Sequence, residues 1–152
     1  MAFNFDVDVK ELVNGFNTAT ENTNNEKKEF EEVPYGTYMV KVERLYLKET
    51  KTRKPMVCVW FRILEGSQKN RLIFMNQMVD TNQKMNIFKS FLAKLDSGVE
   101  LGFDGNWDKF EAMLDNILEE ITETVEYELG YGQNDRGYNT YYIKGVYDAQ
   151  FY

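Results

Sequence analysis

The sequence predicts a mostly β fold with a helical insertion, a five-stranded barrel with helices between strands three and four. Three observations predict it. Apolar residues alternate with a period of two in three stretches between residues 37 and 79. The period becomes helical between residues 84 and 121. Alternation then returns on both sides of a turn that contains Gly132, Asn134, Asp135 and Gly137.

The first strand follows the turn signal Val33-Pro34-Tyr35-Gly36 and runs from Thr37 to Lys48. Tyr38, Val40 and Val42 share one face, whereas Leu45 and Leu47 fall on the other. A parity switch near Arg44 predicts a bulge that bends one strand into both halves of a barrel. A basic loop, Thr50 to Lys54, leads through Pro55 into the second strand, Met56 to Leu64. Its Val57, Val59, Phe61 and Ile63 face inward and leave Trp60 and Arg62 outside. Glu65-Gly66-Ser67 makes a turn before the third strand, Arg71 to Val79.

Phe88, Phe91, Leu92 and Leu95 fall at i, i+3, i+4 and i+7, one face of a helix from about Lys84 to Asp96. A second helix, about Trp107 to Ile121, buries Trp107, Phe110, Leu114, Ile117 and Ile121 and leaves Glu111, Asp115, Glu119 and Glu120 to water. Val125, Tyr127, Leu129 and Tyr131 form the fourth strand, and Tyr138 to Tyr147 returns as the fifth. Alternation places Tyr141 with Ile143 in the core and Tyr142 with Lys144 on the surface. This element order is that of an OB-fold-like barrel, with ligand expected on the face of strands two and three. An α+β sandwich with a different strand pairing is the competing architecture.

At 152 residues the chain is sized for one core. Residues 33–152 are read as the OB-fold-like domain and residues 1–32 as an amino-terminal segment. That segment includes a partly disordered acidic linker, since its Asn, Thr, Glu and Lys run from residue 17 to residue 32 buries too little apolar surface. The alternation from Phe3 to Val9 has the pattern of a docking strand. No apolar run of about eighteen residues and no charged-then-apolar leader is present, so neither membrane insertion nor secretion is expected. A cytoplasmic protein is the expectation, and the single cysteine, Cys58, fits a reducing compartment. The chain has no histidine, which removes the commonest general base and zinc ligand. No nucleophile has a plausible base, and the exposed carboxylates have the spacing of a solvated helix face. No enzyme activity, cofactor or metal is therefore expected.

Charge is distributed unevenly. The chain carries a net −7, yet residues 41–94 hold twelve Lys and Arg against four acids. Interleaved with Tyr46, Trp60, Phe61 and Phe74, these cations supply the two ingredients of a single-strand groove, cations for phosphate and rings for bases. Trp60 and Arg62 are the first candidate contacts, with the loop residues Lys51, Arg53 and Lys54. Lys41, Arg44, Lys69 and Arg71 are supporting phosphate partners. Arg136 of the last hairpin loop and Tyr142 and Lys144 of the last strand complete the candidate set. The competing reading is a protein-interaction module in which the basic patch meets an acidic partner.

Several runs also carry a family likeness. They are Val33-Pro34-Tyr35-Gly36-Thr37-Tyr38, Leu47-Lys48-Glu49-Thr50, Lys54-Pro55-Met56, Trp60 to Gly66, Arg71-Leu72-Ile73-Phe74 and Phe88 to Leu95. Over Val33 to Leu95 the chain resembles a phage-encoded family of the single-stranded-DNA-binding type, catalogued as a domain of unknown function. The resemblance implies an OB-type fold and a role in phage DNA replication or recombination, coating single-stranded DNA in the host cytoplasm. Phage or host replication and recombination proteins are the further partners it implies, and exposed strand edges leave a homo-oligomer open. The chain departs from many single-strand binders at its end, Tyr147-Asp148-Ala149-Gln150-Phe151-Tyr152, which lacks a long acidic run.

Overall fold

The computed structural model of the chain describes residues 33–149. The expected linker over residues 17–32 and the alternating segment from Phe3 to Val9 lie outside the described residues.

Five antiparallel strands form one sheet. They are β1 (Gly36–Glu49), β2 (Pro55–Ile63), β3 (Leu72–Met78), β4 (Val125–Gln133) and β5 (Asn139–Asp148), in the order β3-β2-β1-β4-β5. The 14-residue β1 pairs with β4 through Gly36 to Val40 and with β2 through Val40 to Glu49. Its register shifts between Val42 and Arg44, so Glu43 is the extra residue of a bulge. The bulge explains the change of parity. Val40 and Val42 before it, and Leu45 and Leu47 after it, are all buried in one core.

The five strands form one open sheet, and no ladder closes it into the expected barrel among the described residues. β3 and β5 are its two edges, and closure would need a backbone ladder between them at about 4.8 Å spacing. A side chain spans the gap instead. Tyr141 Oη of β5 donates to the Phe74 carbonyl of β3 at 2.7 Å, and the length of the tyrosine stands between the two backbones. The Tyr141 ring also stacks on Tyr131 and on Phe61, and burial pushes its hydroxyl up to about 12.

Between β3 and β4 the chain forms α1 (Asn82–Lys94) and α2 (Trp107–Ile121). α1 starts two residues before its apolar spacing predicts because Thr81 caps it, its hydroxyl accepting from Lys84 N–H. It also ends earlier, with Leu95 as the cap and Asp96 at a φ of 53°. Asn106 caps α2 by accepting from the N–H groups of Asp108 and Lys109. The buried stripes of the helices, Phe88, Phe91 and Leu92 on α1 and Phe110, Leu114, Ile117 and Ile121 on α2, join the inner face of the sheet in a single core. Truncating one of these side chains to Ala costs roughly 2–5 kcal/mol. The fully buried Tyr127 of β4 donates to the Leu95 carbonyl and so fixes the end of α1 to the sheet. Burial holds its hydroxyl far above the ordinary tyrosine range. With the helices on the inner face, the outer face of β1, β2 and β3 is left uncovered by them.

Candidate nucleic-acid interface

Register decides which side chains meet on that outer face. In β2, Val57, Val59, Phe61 and Ile63 are buried, so Trp60 and Arg62 point out, as the alternation predicts. In β3, Ile73 and Met75 are buried and Phe74 is 50% exposed. Arg44, Trp60 and Phe74 are direct cross-strand neighbours across β1, β2 and β3. Tyr46 lies one outward position further along β1, opposite Cys58. Trp60 meets Tyr46 at 6.3 Å and Phe74 at 5.4 Å between ring centroids, both edge to face.

Arg44 sits on this aromatic row. Its guanidinium carbon lies 4.6 Å from the Tyr46 ring centre and 4.7 Å from that of Trp60. Arg44 is exposed, and no carboxylate lies within ion-pair distance of it among the described residues. The bulge therefore presents a cation held by rings instead of by an acid. Beneath the row, Cys58 is buried, and burial raises its thiol above the ordinary range.

Arg62 has a different environment. Its Nε and Nη2 donate to the two carboxylate oxygens of Glu43 at 2.8 and 2.7 Å, and its Nη1 donates to the Asn70 carbonyl at 2.6 Å. Glu43 is the extra residue of the bulge, so the bidentate pair locks the bulge to β2 and to the turn that follows it. The hydrogen bonds and charge of Arg62 hold the Glu43 carboxyl below its usual range. Arg62, expected as a first ligand contact, is thus engaged with Glu43 and Asn70 while its side chain stays partly exposed.

Lys54 departs furthest from expectation. A ligand contact in the basic loop needs an accessible side chain, but Lys54 is 0% exposed, and its Nζ has no hydrogen-bond partner among the described residues. The tight turn folds it inward, with the Thr50 N–H donating to the Lys54 carbonyl and Lys54 N–H to Thr50 Oγ1. The next antiparallel step beyond Pro55 and Val79 sets it opposite Asp80, whose carboxylate is also buried. Lys51 and Arg53 are exposed as expected, and Arg53 pairs with Glu49 at 3.4 Å. Arg53 has a φ of 63°, a left-handed conformation that glycine would adopt with less strain.

Lys41, Arg62 and Lys69 are brought together, lining a surface groove of about 550 Å³ whose other polar residues are Glu65, Asn70, Glu126 and Tyr147. Lys41 lies 3.9 Å from Glu123. Arg71 is half-buried, with Nη1 donating to Gln68 Oε1. Lys144 reaches over Gly130 to donate to Thr37 Oγ1 at 2.9 Å, and a Cβ at position 130 would meet its stem at 2.7 Å. Tyr142 is 58% exposed on β5, and Arg136 is exposed in the β4–β5 turn. Neither Tyr142 nor Arg136 lines the groove or belongs to the aromatic row.

Tyr46 and Phe74 count among the rings of the basic segment in the sequence but are not placed there as individual contacts, and Tyr147 is not selected at all. The period of β3 already places Phe74 outside, between Ile73 and Met75. Its position beside Trp60 needed the β2–β3 register, which no single strand discloses. Among the described residues no helix is long and apolar enough to cross a membrane, and no cluster of three or more His, Cys, Asp or Glu side chains is arranged to hold a metal.

Fold and surface together define a mostly β protein with an aromatic and basic sheet face. Residues 19–126 match the family described as Protein of unknown function (DUF669), and the chain belongs to that family. The match takes in β1 to β3 and both helices and stops at the start of β4. No curated protein matches the chain.

Proposed function

We propose that the protein is a non-enzymatic binder of single-stranded DNA with little sequence preference, and that the outer face of β1, β2 and β3 is its binding surface. The observation that carries this reading is the cross-strand row Arg44, Trp60 and Phe74, flanked by Tyr46, with the guanidinium on the rings and free of a carboxylate among the described residues. Rings stack on any base for about 1–3 kcal/mol each, and cations follow the phosphates, so such a surface holds a strand without reading it. A duplex keeps its bases inside and gains only the phosphate contacts.

The strand order also supports a finer reading of the fold. β1 pairs with both β2 and β4, and Tyr141 bridges the two edges, as in a partly open OB-type barrel whose ligand lies on β2 and β3. With the resemblance to phage single-strand binders, the setting we propose is phage DNA replication or recombination in the host cytoplasm. A protein-interaction module is the second reading, favoured by the internal pairing of Arg62 and Arg53, which leaves fewer cations for phosphate.

A titration of labelled oligo-dT separates the two, followed by anisotropy and Trp fluorescence in a Trp107→Phe background. Single-strand-selective binding that quenches Trp60 supports the DNA reading. Absence of binding at low salt sinks it.

A further inference from the structure

The groove beside the aromatic row has the size and chemistry of a nucleotide subsite. We propose that it takes one nucleoside phosphate of the bound strand, with the base on Tyr147 and the phosphate on Lys69; this rests on the single-strand reading above. Its volume of about 550 Å³ falls within the roughly 300–1,000 Å³ of small-molecule sites.

The groove adjoins the row directly. Arg62 lines it and lies two residues from Trp60 on β2, a rise of roughly 6.6 Å along the strand. Lys41 is the cross-strand neighbour of Arg62 and lines the same groove. A strand stacked on Trp60 and Phe74 thus meets the groove at its next unit.

Tyr147 supplies a platform. Position 145 is glycine, and a Cβ there would meet Tyr147 Oη at 2.7 Å, so the ring rests against the β5 backbone. The side chain remains 49% exposed and lines the groove, which leaves ring surface for a base. Lys69 is exposed, with no carboxylate within ion-pair distance among the described residues. Lys41 and Arg62 are ion-paired with Glu123 and Glu43, whereas Lys69 makes no ion pair among the described residues although Glu65 lines the same groove, so Lys69 is the groove's phosphate partner. Asn70, whose side chain both donates and accepts, lines the same space as a hydrogen-bonding group for a base edge.

The test uses the full chain and oligo-dT of stepwise length from about four to sixteen nucleotides. Tyr147→Ala and Lys69→Glu are compared with Trp60→Ala, and dTMP is titrated separately by NMR. The expected result is that Tyr147→Ala and Lys69→Glu each lower affinity about tenfold for the longer oligomers and shorten the occluded length, while the shortest oligomers are little affected. Trp60→Ala weakens every length. Wild-type affinity and occluded length in both groove variants, with Trp60→Ala still weakened, overturns the groove and leaves the single-strand reading standing. Loss in the groove variants with no effect of Trp60→Ala keeps the groove and overturns the row. Binding of dTMP without oligonucleotides makes the ligand a free nucleotide and overturns the strand assignment, and binding of neither overturns both.

Discussion

Two arginines of neighbouring strands share the outer face of the sheet, and their surroundings differ. Arg44 lies on Tyr46 and Trp60 with no acidic partner among the described residues, whereas Arg62 is held by both oxygens of Glu43 and by the Asn70 carbonyl. On the proposed function, the first keeps its charge for an incoming phosphate. The second spends its hydrogen bonds on fixing the bulge from which the first projects. A basic count along the chain therefore overstates the cations on offer, and the partner of each one decides its part.

The largest effect is expected from the rings. Trp60→Ala combined with Phe74→Ala lowers oligo-dT affinity by more than about thirtyfold, read by anisotropy. Phe74→Ala alone, at a half-exposed side chain, gives a smaller loss with an unchanged melting temperature. An unchanged affinity in the double variant removes the row from the interface.

Next in size is the separation of the arginines. Arg44→Gln lowers affinity about tenfold without changing stability, while Arg62→Gln costs about 1 kcal/mol of stability by releasing the bulge. Acid sharpens the same contrast. The Glu43 carboxyl has a lowered folded value, so its stabilising effect is complete above the ordinary carboxylate range and is lost as pH falls through that lowered value. Acid melting curves of wild type and Glu43→Gln should converge there, and curves that stay parallel would remove the pair from the stability of the bulge.

The opposite edge responds to alkali. Tyr141 has its hydroxyl raised to about 12, so the contribution of its neutral form is full below the ordinary tyrosine value and lost as pH rises towards 12. Absorbance at alkaline pH, compared between wild type and Tyr141→Phe, should show Tyr141 ionising above the ordinary tyrosine range. Tyr141→Phe should cost about 1 kcal/mol by deleting the bond from β5 to β3. Ionisation of Tyr141 within the ordinary tyrosine range would mean that the two edges are not held in this way. The smallest effect belongs to Lys54. As a fully buried side chain it makes no contact with a strand, and Lys54→Met should leave affinity within about twofold.

Much of the outer face was legible in the sequence. Val40 and Val42 against Leu45 and Leu47 disclosed the bulge, and period two placed Trp60 and Arg62 outside. What escaped depends on contacts between distant residues. Glu43 and Arg62 are nineteen positions apart and meet only through the β1–β2 register. Phe74 joins Trp60 only through the β2–β3 register. Lys54 turns inward because a tight turn folds it back, although its neighbours Lys51 and Arg53 are exposed. One tyrosine links the edge strands β3 and β5 by a side-chain bond, a detail that element order does not carry.

The most direct test is the salt dependence of oligo-dT affinity for the wild type, Arg44→Gln and Arg62→Gln. The account predicts that affinity falls with salt, that Arg44→Gln flattens the slope by about 0.7, the value of one single-strand phosphate contact, and that Arg62→Gln leaves it unchanged. Equal flattening in both variants, or binding that ignores salt, would contradict it.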